Sequence, residues 1–252
     1  MIGVASPSFC QVPFMDMLGR ISAHFGLWEV LPEGQHSLGA IREGVAYGRD
    51  SLGMRFQVHA PMSDVNLGSV YEPMRIAAVK EVKQTIAMCH ELEIPLVTVH
   101  PGFVNGIAFL DRSKALEMTK RSIREVASYA EEQSVTVAVE NLPANINATC
   151  THAKDLLYVI EGTGLGICFD MGHANTSGQL DDLLREVDRF RNVHLHNNEG
   201  QWDQHNVIDE GSADVGKVVS VLKRSYKGNI VIESTDLESA IESKGRLEKM
   251  LG

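Results

Sequence analysis

Residues 135–141 read VTVAVEN. Val135, Val137 and Val139 are β-branched, Ala138 is apolar, and Glu140 closes the run. Apolar residues on consecutive positions suit a strand buried on both faces, as in a parallel sheet. A carboxylate at the end of such a strand is costly to bury unless it is paired or bound to a cation. Runs of the same kind recur on both sides: Ile2 to Ala5, Gly26 to Leu31, Arg55 to His59, Leu96 to His100, Gly166 to Asp170, Val193 to His196 and Ile230 to Glu233. With Val135 to Glu140 they make eight runs of strand length.

The stretches between them carry helical spacing. Val79, Val82, Ile86 and Cys89 fall on one stripe, as do Leu116, Ile123, Ala127 and Ala130. Leu180, Leu183, Leu184 and Val187 repeat the pattern, Asp111 is placed to cap a helix, and a last helix spans about Leu237 to Leu251. Eight strand–helix units in 252 residues is the arithmetic of a single (β/α)8 TIM barrel, an α/β fold. An open doubly wound sheet is the competing topology. It usually carries a glycine-rich phosphate turn after the first strand, where this chain has Ser6-Pro-Ser-Phe. No linker or break in composition divides the chain, so one domain over residues 1–252 is expected.

Composition narrows the function. Acidic residues number 33 against 23 basic, a net charge of -10. This disfavours nucleic acid and anionic membrane surfaces as partners without excluding a local basic groove. No apolar stretch approaches the roughly 18 residues of a membrane span. The opening MIGVASPSFC lacks a basic segment followed by an apolar run, so no secretion signal is expected. The four cysteines form no CxxC pair and read as reduced thiols in a cytoplasmic protein.

The chemistry gathers at the strand ends. Strands three to eight finish in His59, His100, Glu140, Asp170 (with His173 three residues on), His194 with His196, and Glu233. In a barrel these ends surround one mouth, where active sites lie. Imidazoles and carboxylates together suit a borderline divalent cation: zinc, manganese or cobalt. A lone histidine at a strand end is more often a hydrogen-bonded core residue; six consecutive strands ending this way are hard to explain by structure alone. His194 and His196 point the same way, and spacing does not say which binds metal. The polar loop Asn197 to Asp209, with Asp203 and His205, either folds over the mouth or is simply solvated. Glu29 reads as a mouth residue supporting a ligand or contacting substrate, or else as a surface carboxylate. Trp202 reads as a stacking surface for a substrate ring or as a loop anchor. His24, His36, His90 and His152 lie away from the strand ends and receive no function.

VHAP, VHPG, VENL, CFDMGHAN, VHLHNNEGQWDQH and VIES, in this order over about residues 55 to 235, resemble the xylose isomerase-like barrel superfamily. That group holds sugar and sugar-phosphate isomerases and epimerases, and the endonuclease IV type of apurinic-site nuclease. The isomerase resemblance implies one divalent cation on Glu140, Asp170, His194 and Glu233, with His173 contacting substrate and His196 a further candidate contact. The nuclease resemblance implies three zinc ions on His59, His100, Glu140, Asp170, His173, His194, Asp203, His205 and Glu233, with Glu140 bridging. The chain departs from the nuclease pattern in three places. Gln204 replaces the Arg between the Asp and His of that motif, Ala60-Pro-Met-Ser-Asp follows His59, and HLHNNEG stands for HLNDSK. These departures disfavour DNA and leave the metal residues complete.

Two reactions follow. In the first, a metal-stabilised enediolate forms on a sugar or sugar phosphate, and Glu140 and Glu233 move the proton as base and acid. In the second, one to three ions drive phosphoester hydrolysis. A non-catalytic metal-binding barrel is the third option. The sequence places the isomerase or epimerase first. Many such barrels pair into homodimers, but no interface is legible here.

Overall fold

The computed structural model describes residues 1–252. Along the chain run β1 (Ile2–Ala5), α1 (Phe14–Ser22), β2 (Leu27–Val30), α2 (Arg42–Leu52), β3 (Arg55–His59), α3 (Glu72–Glu91), β4 (Leu96–Val99), α4 (Arg112–Gln133), β5 (Thr136–Glu140), α5 (Ala153–Ile160), β6 (Gly166–Asp170), α6 (Met171–Ser177), α7 (Leu180–Leu184), β7 (Phe190–Leu195), α8 (Val215–Ser225), β8 (Ile230–Glu233) and α9 (Leu237–Leu251). The strands are parallel and hydrogen-bonded in chain order, and β8 returns to β1. Ile2 pairs with Ile230 and Ala5 with Glu233, so the barrel closes in register. It is a (β/α)8 barrel, as the eight runs imply, and the open sheet is excluded.

Closure follows from the burial pattern. Val97, Val99, Val137, Val139, Ile167 and Phe169 are fully or almost fully buried. The outward side chains of the strands meet the apolar stripes of the helices. On α3 these are Val79, Val82, Ile86 and Cys89, and on α4 Ile123, Ala127 and Ala130. Caps set the helix starts. Asp111 accepts from the Ser113 backbone N–H, Asp214 from Lys217 and Asp236 from Ser239. All four cysteines are buried and free. No helix is long and apolar enough to cross a membrane.

Two elements differ from expectation. The helix expected through Val187 stops at Leu184, and Val187–Arg189 forms a separate 3-10 turn. β7 starts at Phe190 rather than Val193. Phe190 stacks on Phe169, with ring centroids 4.9 Å apart, which draws the strand start into the core. Arg191 and Asn192 break the apolar run in the sequence. Arg191 nonetheless lies on the outer face over Gly166, and Asn192 points inward.

Candidate metal centre at the barrel mouth

The strand ends bring their polar side chains together. Glu140 at the end of β5 is 1% exposed, and both of its oxygens face imidazoles. Oε2 lies 3.1 Å from His59 Nε2 and 3.3 Å from His100 Nε2. Oε1 lies 3.1 Å from His194 Nδ1, which is also 3.1 Å from Glu233 Oε1 and 3.9 Å from Asp170 Oδ2. Beyond β6, Asp170 caps α6 by accepting from the His173 backbone N–H at 2.6 Å. That cap turns His173 back over the mouth. There His173 Nε2 and His205 Nε2 each lie 3.1 Å from Asp203 Oδ2.

Four groups result, three of them sharing Glu140: His59, His100 and Glu140; Glu140, Asp170, His194 and Glu233; Glu140, Cys168 and His194; and, apart from these, His173, His196, Asp203 and His205. Within each group one ligand atom per residue lies within 4.8 Å of all the others. One imidazole in each group is fixed from behind. His59 Nδ1 is 2.8 Å from the Ala60 carbonyl, and His173 Nδ1 is 2.8 Å from the Asn141 carbonyl. A ring nitrogen facing a carbonyl carries the hydrogen, which leaves Nε2 with its lone pair toward a carboxylate. His194 Nε2 lies 2.9 Å from Glu29 Oε1. His194 Nε2 also lies 3.0 Å from Asn192 Nδ2, and its Nδ1 faces Glu140 and Glu233. Lone pairs facing carboxylates at 3.1 Å need a positive charge between them. Ligating histidines are oriented by their other nitrogen in just this way.

Electrostatics agree. Burial alone would raise the Glu140 carboxyl, but His194, His100 and His59 outweigh it and hold it well below the usual range. The same contest holds Glu233 and Asp203 low. Burial would lower His173 and His194, yet the surrounding carboxylates, Asp170 chief among them for His173, push both well above their ordinary values. Without another cation the cluster must hold protons. Six buried side-chain atoms here also lack a hydrogen-bond partner: Glu29 Oε1, His100 Nδ1, Asp170 Oδ2, both nitrogens of His196 and Asp203 Oδ1. An unpaired buried polar group costs about 1–3 kcal/mol, so such a concentration fits a built cation site. The donors are nitrogen and carboxylate oxygen, which suits zinc, manganese or cobalt.

The structure resolves several open readings. Glu29 is 1% exposed, so it is not a surface carboxylate, and it is among the residues lining the mouth cavity. It sits behind His194 and is held there by Gln57 and Asn192. Both His194 and His196 face the mouth, in different groups. The loop after β7 is not simply solvated. Asn197 and Asn198 are buried, and the side chain of Asn198 donates to the Gly172 carbonyl. His205 adopts φ 52, a left-handed conformation uncommon outside glycine, to turn toward Asp203. Trp202 is 75% exposed, so it does not anchor the loop. His36 is a core residue packed edge-on against Phe14 and Trp28. The layer of Gln57, Thr98 and Asn192 below the ligands was not singled out in the sequence, where polar residues read as interruptions. Cys168, beside Glu140 and His194, was also missed; burial holds its thiol well above the usual range.

Replacing Glu29 with Gln is expected to leave the fold intact and weaken metal binding by about 10–100-fold, the usual cost of an outer-shell partner. Competition against a chromophoric chelator reads this directly, and unchanged affinity would contradict the role given to Glu29.

The ligand groups surround a cavity of about 140 Å³ that no Lys or Arg lines. Through Met62 it borders a wider groove walled by Val65, Tyr71, Met74, Phe103 and Ile107. A family model described as xylose isomerase-like TIM barrel matches residues 29–250. The chain belongs to this family. Among xylose isomerase-like barrels, an uncharacterized protein of Methanocaldococcus jannaschii is 30% identical over 261 residues, covering 99% of this chain and 88% of its own. A solved structure described as a D-tagatose 3-epimerase-like protein shares 30% identity with a TM-score of 0.92, covering 99% of this chain and 96% of that one. A probable endonuclease 4 of Aquifex aeolicus is 27% identical over 189 residues, 67% of this chain and 66% of its own. The family thus includes neighbours of both the sugar-epimerase and the nuclease kind.

Proposed function

We propose that this xylose isomerase-like barrel is a divalent-metal-dependent hydrolase of a small phosphoester, whose cations would be held by the donor groups that share Glu140. One observation carries the reading: the two oxygens of Glu140 face separate donor groups, His59 with His100 and His194 with Glu233. A one-ion isomerase needs only the second group and asks Glu140 to shuttle a proton. A carboxylate engaged on both oxygens has no free oxygen from which to shuttle a proton. This reading puts phosphoester hydrolysis ahead of the isomerase or epimerase that the sequence places first.

Bound here, a pair of divalent ions supplies Lewis acidity, both to the attacking water and to the phosphoryl oxygens. The protein's part is to hold and to exclude. Glu29, Gln57 and Asn192 lock His194, and Asn141 fixes Asp170 and His173. Glu233 has the more exposed side chain of the two catalytic candidates, at 13% against 1% for Glu140. It would orient the attacking water, whose proton leaves with the alcohol as the phosphorus–oxygen ester bond breaks. With no Lys or Arg at the cavity, substrate charge must be met by the cations. That arrangement favours a small phosphoester over a nucleic-acid duplex, whose backbone calls for distributed basic contacts.

The second reading is a sugar or sugar-phosphate epimerase working from Glu140, Asp170, His194 and Glu233. The likeness to the D-tagatose 3-epimerase-like structure supports it. The two are separated by incubating the metal-loaded protein with aryl phosphate mono- and diesters, an abasic-site duplex, and ketoses in deuterated water. Alcohol release from the small esters without carbon-bound deuterium is expected. Deuterium on a ketose with no ester cleavage would establish the epimerase instead.

A further inference from the structure

The cavity over the ligands is too small for a whole ester. At about 140 Å³ it falls below the range of about 300–1,000 Å³ usual for small-molecule sites, whereas the neighbouring groove, at about 810 Å³, lies within it. The two meet at Met62, which lines both. Met62 is held through its backbone: Glu33 Oε1 accepts from the N–H groups of Met62 and Ser63 at 2.7 and 2.8 Å. Phe103 joins the groove to the metal ligands. It walls the groove, and its ring stands edge-on to His100 with centroids 6.0 Å apart.

The groove is preformed. Its walls come from the segments after β3, β4 and β5, and hydrogen bonds stitch these together. The side chain of Asn66 accepts from the Phe103 N–H and donates to the Phe103 carbonyl. The Val104 N–H donates to the Asn147 carbonyl, and Thr149 Oγ1 donates to the Gly102 carbonyl at 2.7 Å. Gly102 has φ 131, and a Cβ there would lie 2.4 Å from the Gly68 nitrogen, so only glycine lets the first two segments meet. The chemistry of the groove is one-sided. Val65, Tyr71, Met74, Phe103 and Ile107 wall it, and Tyr71 and Ile107 are 66% and 75% exposed. No Lys, Arg or His lines it, and Asp64 is its one charged residue, so an anionic group finds no partner there. Exposed apolar surface of this kind marks a binding site.

We propose that this groove is the leaving-group subsite, taking an uncharged alcohol with an aromatic or branched apolar body whose phosphate is directed to the mouth. The assignment deepens the phosphoester reading and rests on it. Tyr71 and Phe103 supply rings against which an aromatic body can pack. Continuity with the mouth at Met62 and the contact of Phe103 with His100 favour substrate over a second copy of the chain, which would stand across the entrance to the ligands.

The test pairs binding with turnover, using 2-naphthol together with 2-naphthyl and phenyl phosphates, whose leaving groups are similar in acidity. Fluorescence of 2-naphthol titrated with the metal-loaded protein should show saturable binding. Ile107→Asp and Tyr71→Asp, both at exposed positions, should weaken it at least about 10-fold. Tyr47→Asp, also exposed but on α2 and outside the groove, should bind as the wild type does. In turnover, the wild type should have a KM about 10-fold lower for the naphthyl than for the phenyl ester, and the two groove variants should lose that difference. Naphthol binding that is absent, or equal in the groove variants, would overturn the subsite, while ester cleavage would leave the phosphoester reading standing. Naphthol binding as expected with no ester cleaved would overturn the phosphoester reading and the leaving-group assignment with it. A wild type that is dimeric by light scattering, with Ile107→Asp monomeric, would give the groove to a second copy and overturn the subsite.

Discussion

Replacing Glu140 with Gln is expected to abolish turnover, by at least about 1000-fold, the upper range for removing one preorganised charge-stabilising group. The reason is geometric. Glu140 offers one oxygen to His59 and His100 and the other to His194. An amide keeps a single acceptor oxygen and turns N–H groups toward one of these sets, which already points a lone pair inward. The groups that share Glu140 should therefore lose their ions. The group at His173, Asp203 and His205 does not use Glu140 and should keep its own. Turnover by wild-type and Glu140→Gln protein, alongside metal content, checks this. A variant with full activity and full metal content would show that the mouth is not the site.

Metal removal should cost the protein much of its thermal stability. A ligand at about 1,000 times its dissociation constant stabilises the folded state by about 4 kcal/mol. For a chain of this length that corresponds to roughly 10–15 °C in Tm, at about 2–4 °C per kcal/mol. The effect should grow with pH. In the metal-free protein His173 and His194 are held above their ordinary values by the carboxylates around them. A group raised in the folded state stabilises fully below its unfolded value, near 6.5, and that contribution is lost as pH rises through the folded value. Glu140, Glu233 and Asp203 are held low, so their contribution is present above about 4 and lost on acidification. Protons therefore stand in for cations at mildly acidic pH and desert the site at alkaline pH, where metal binds best. Scanning calorimetry with and without chelator should show a larger gap at pH 8 than at pH 6. An equal or reversed gap would contradict this account of the charges.

The fold was legible because each strand is a short apolar run and each run ends at a turn. The ligands were legible for the same reason, since a His, Asp or Glu closing an apolar strand stands out. Side chains inside the strands were less so. Gln57, Thr98 and Asn192 look like interruptions in an apolar pattern, yet they form the layer that holds Glu29 behind His194. Glu29 itself could not be told from a surface carboxylate, because β2 ends in a polar loop on either reading. The separation of His194 from His196 depends on depth along β7 and on the space left by Gly172, which no spacing rule encodes. The shortened α7 reflects the pull of Phe190 onto Phe169, a contact between distant residues. The loop after β7 looked solvated by composition, while its asparagines are spent on backbone hydrogen bonds inside the fold.

The central claim is that the mouth holds several cations around Glu140. Elemental analysis of protein purified without chelator or affinity metal tests it most directly. The account predicts two or three zinc, manganese or cobalt ions per chain, falling by two in Glu140→Gln. A single ion per chain would return the site to the four-ligand epimerase arrangement. No bound metal, even after reconstitution, would contradict the account outright.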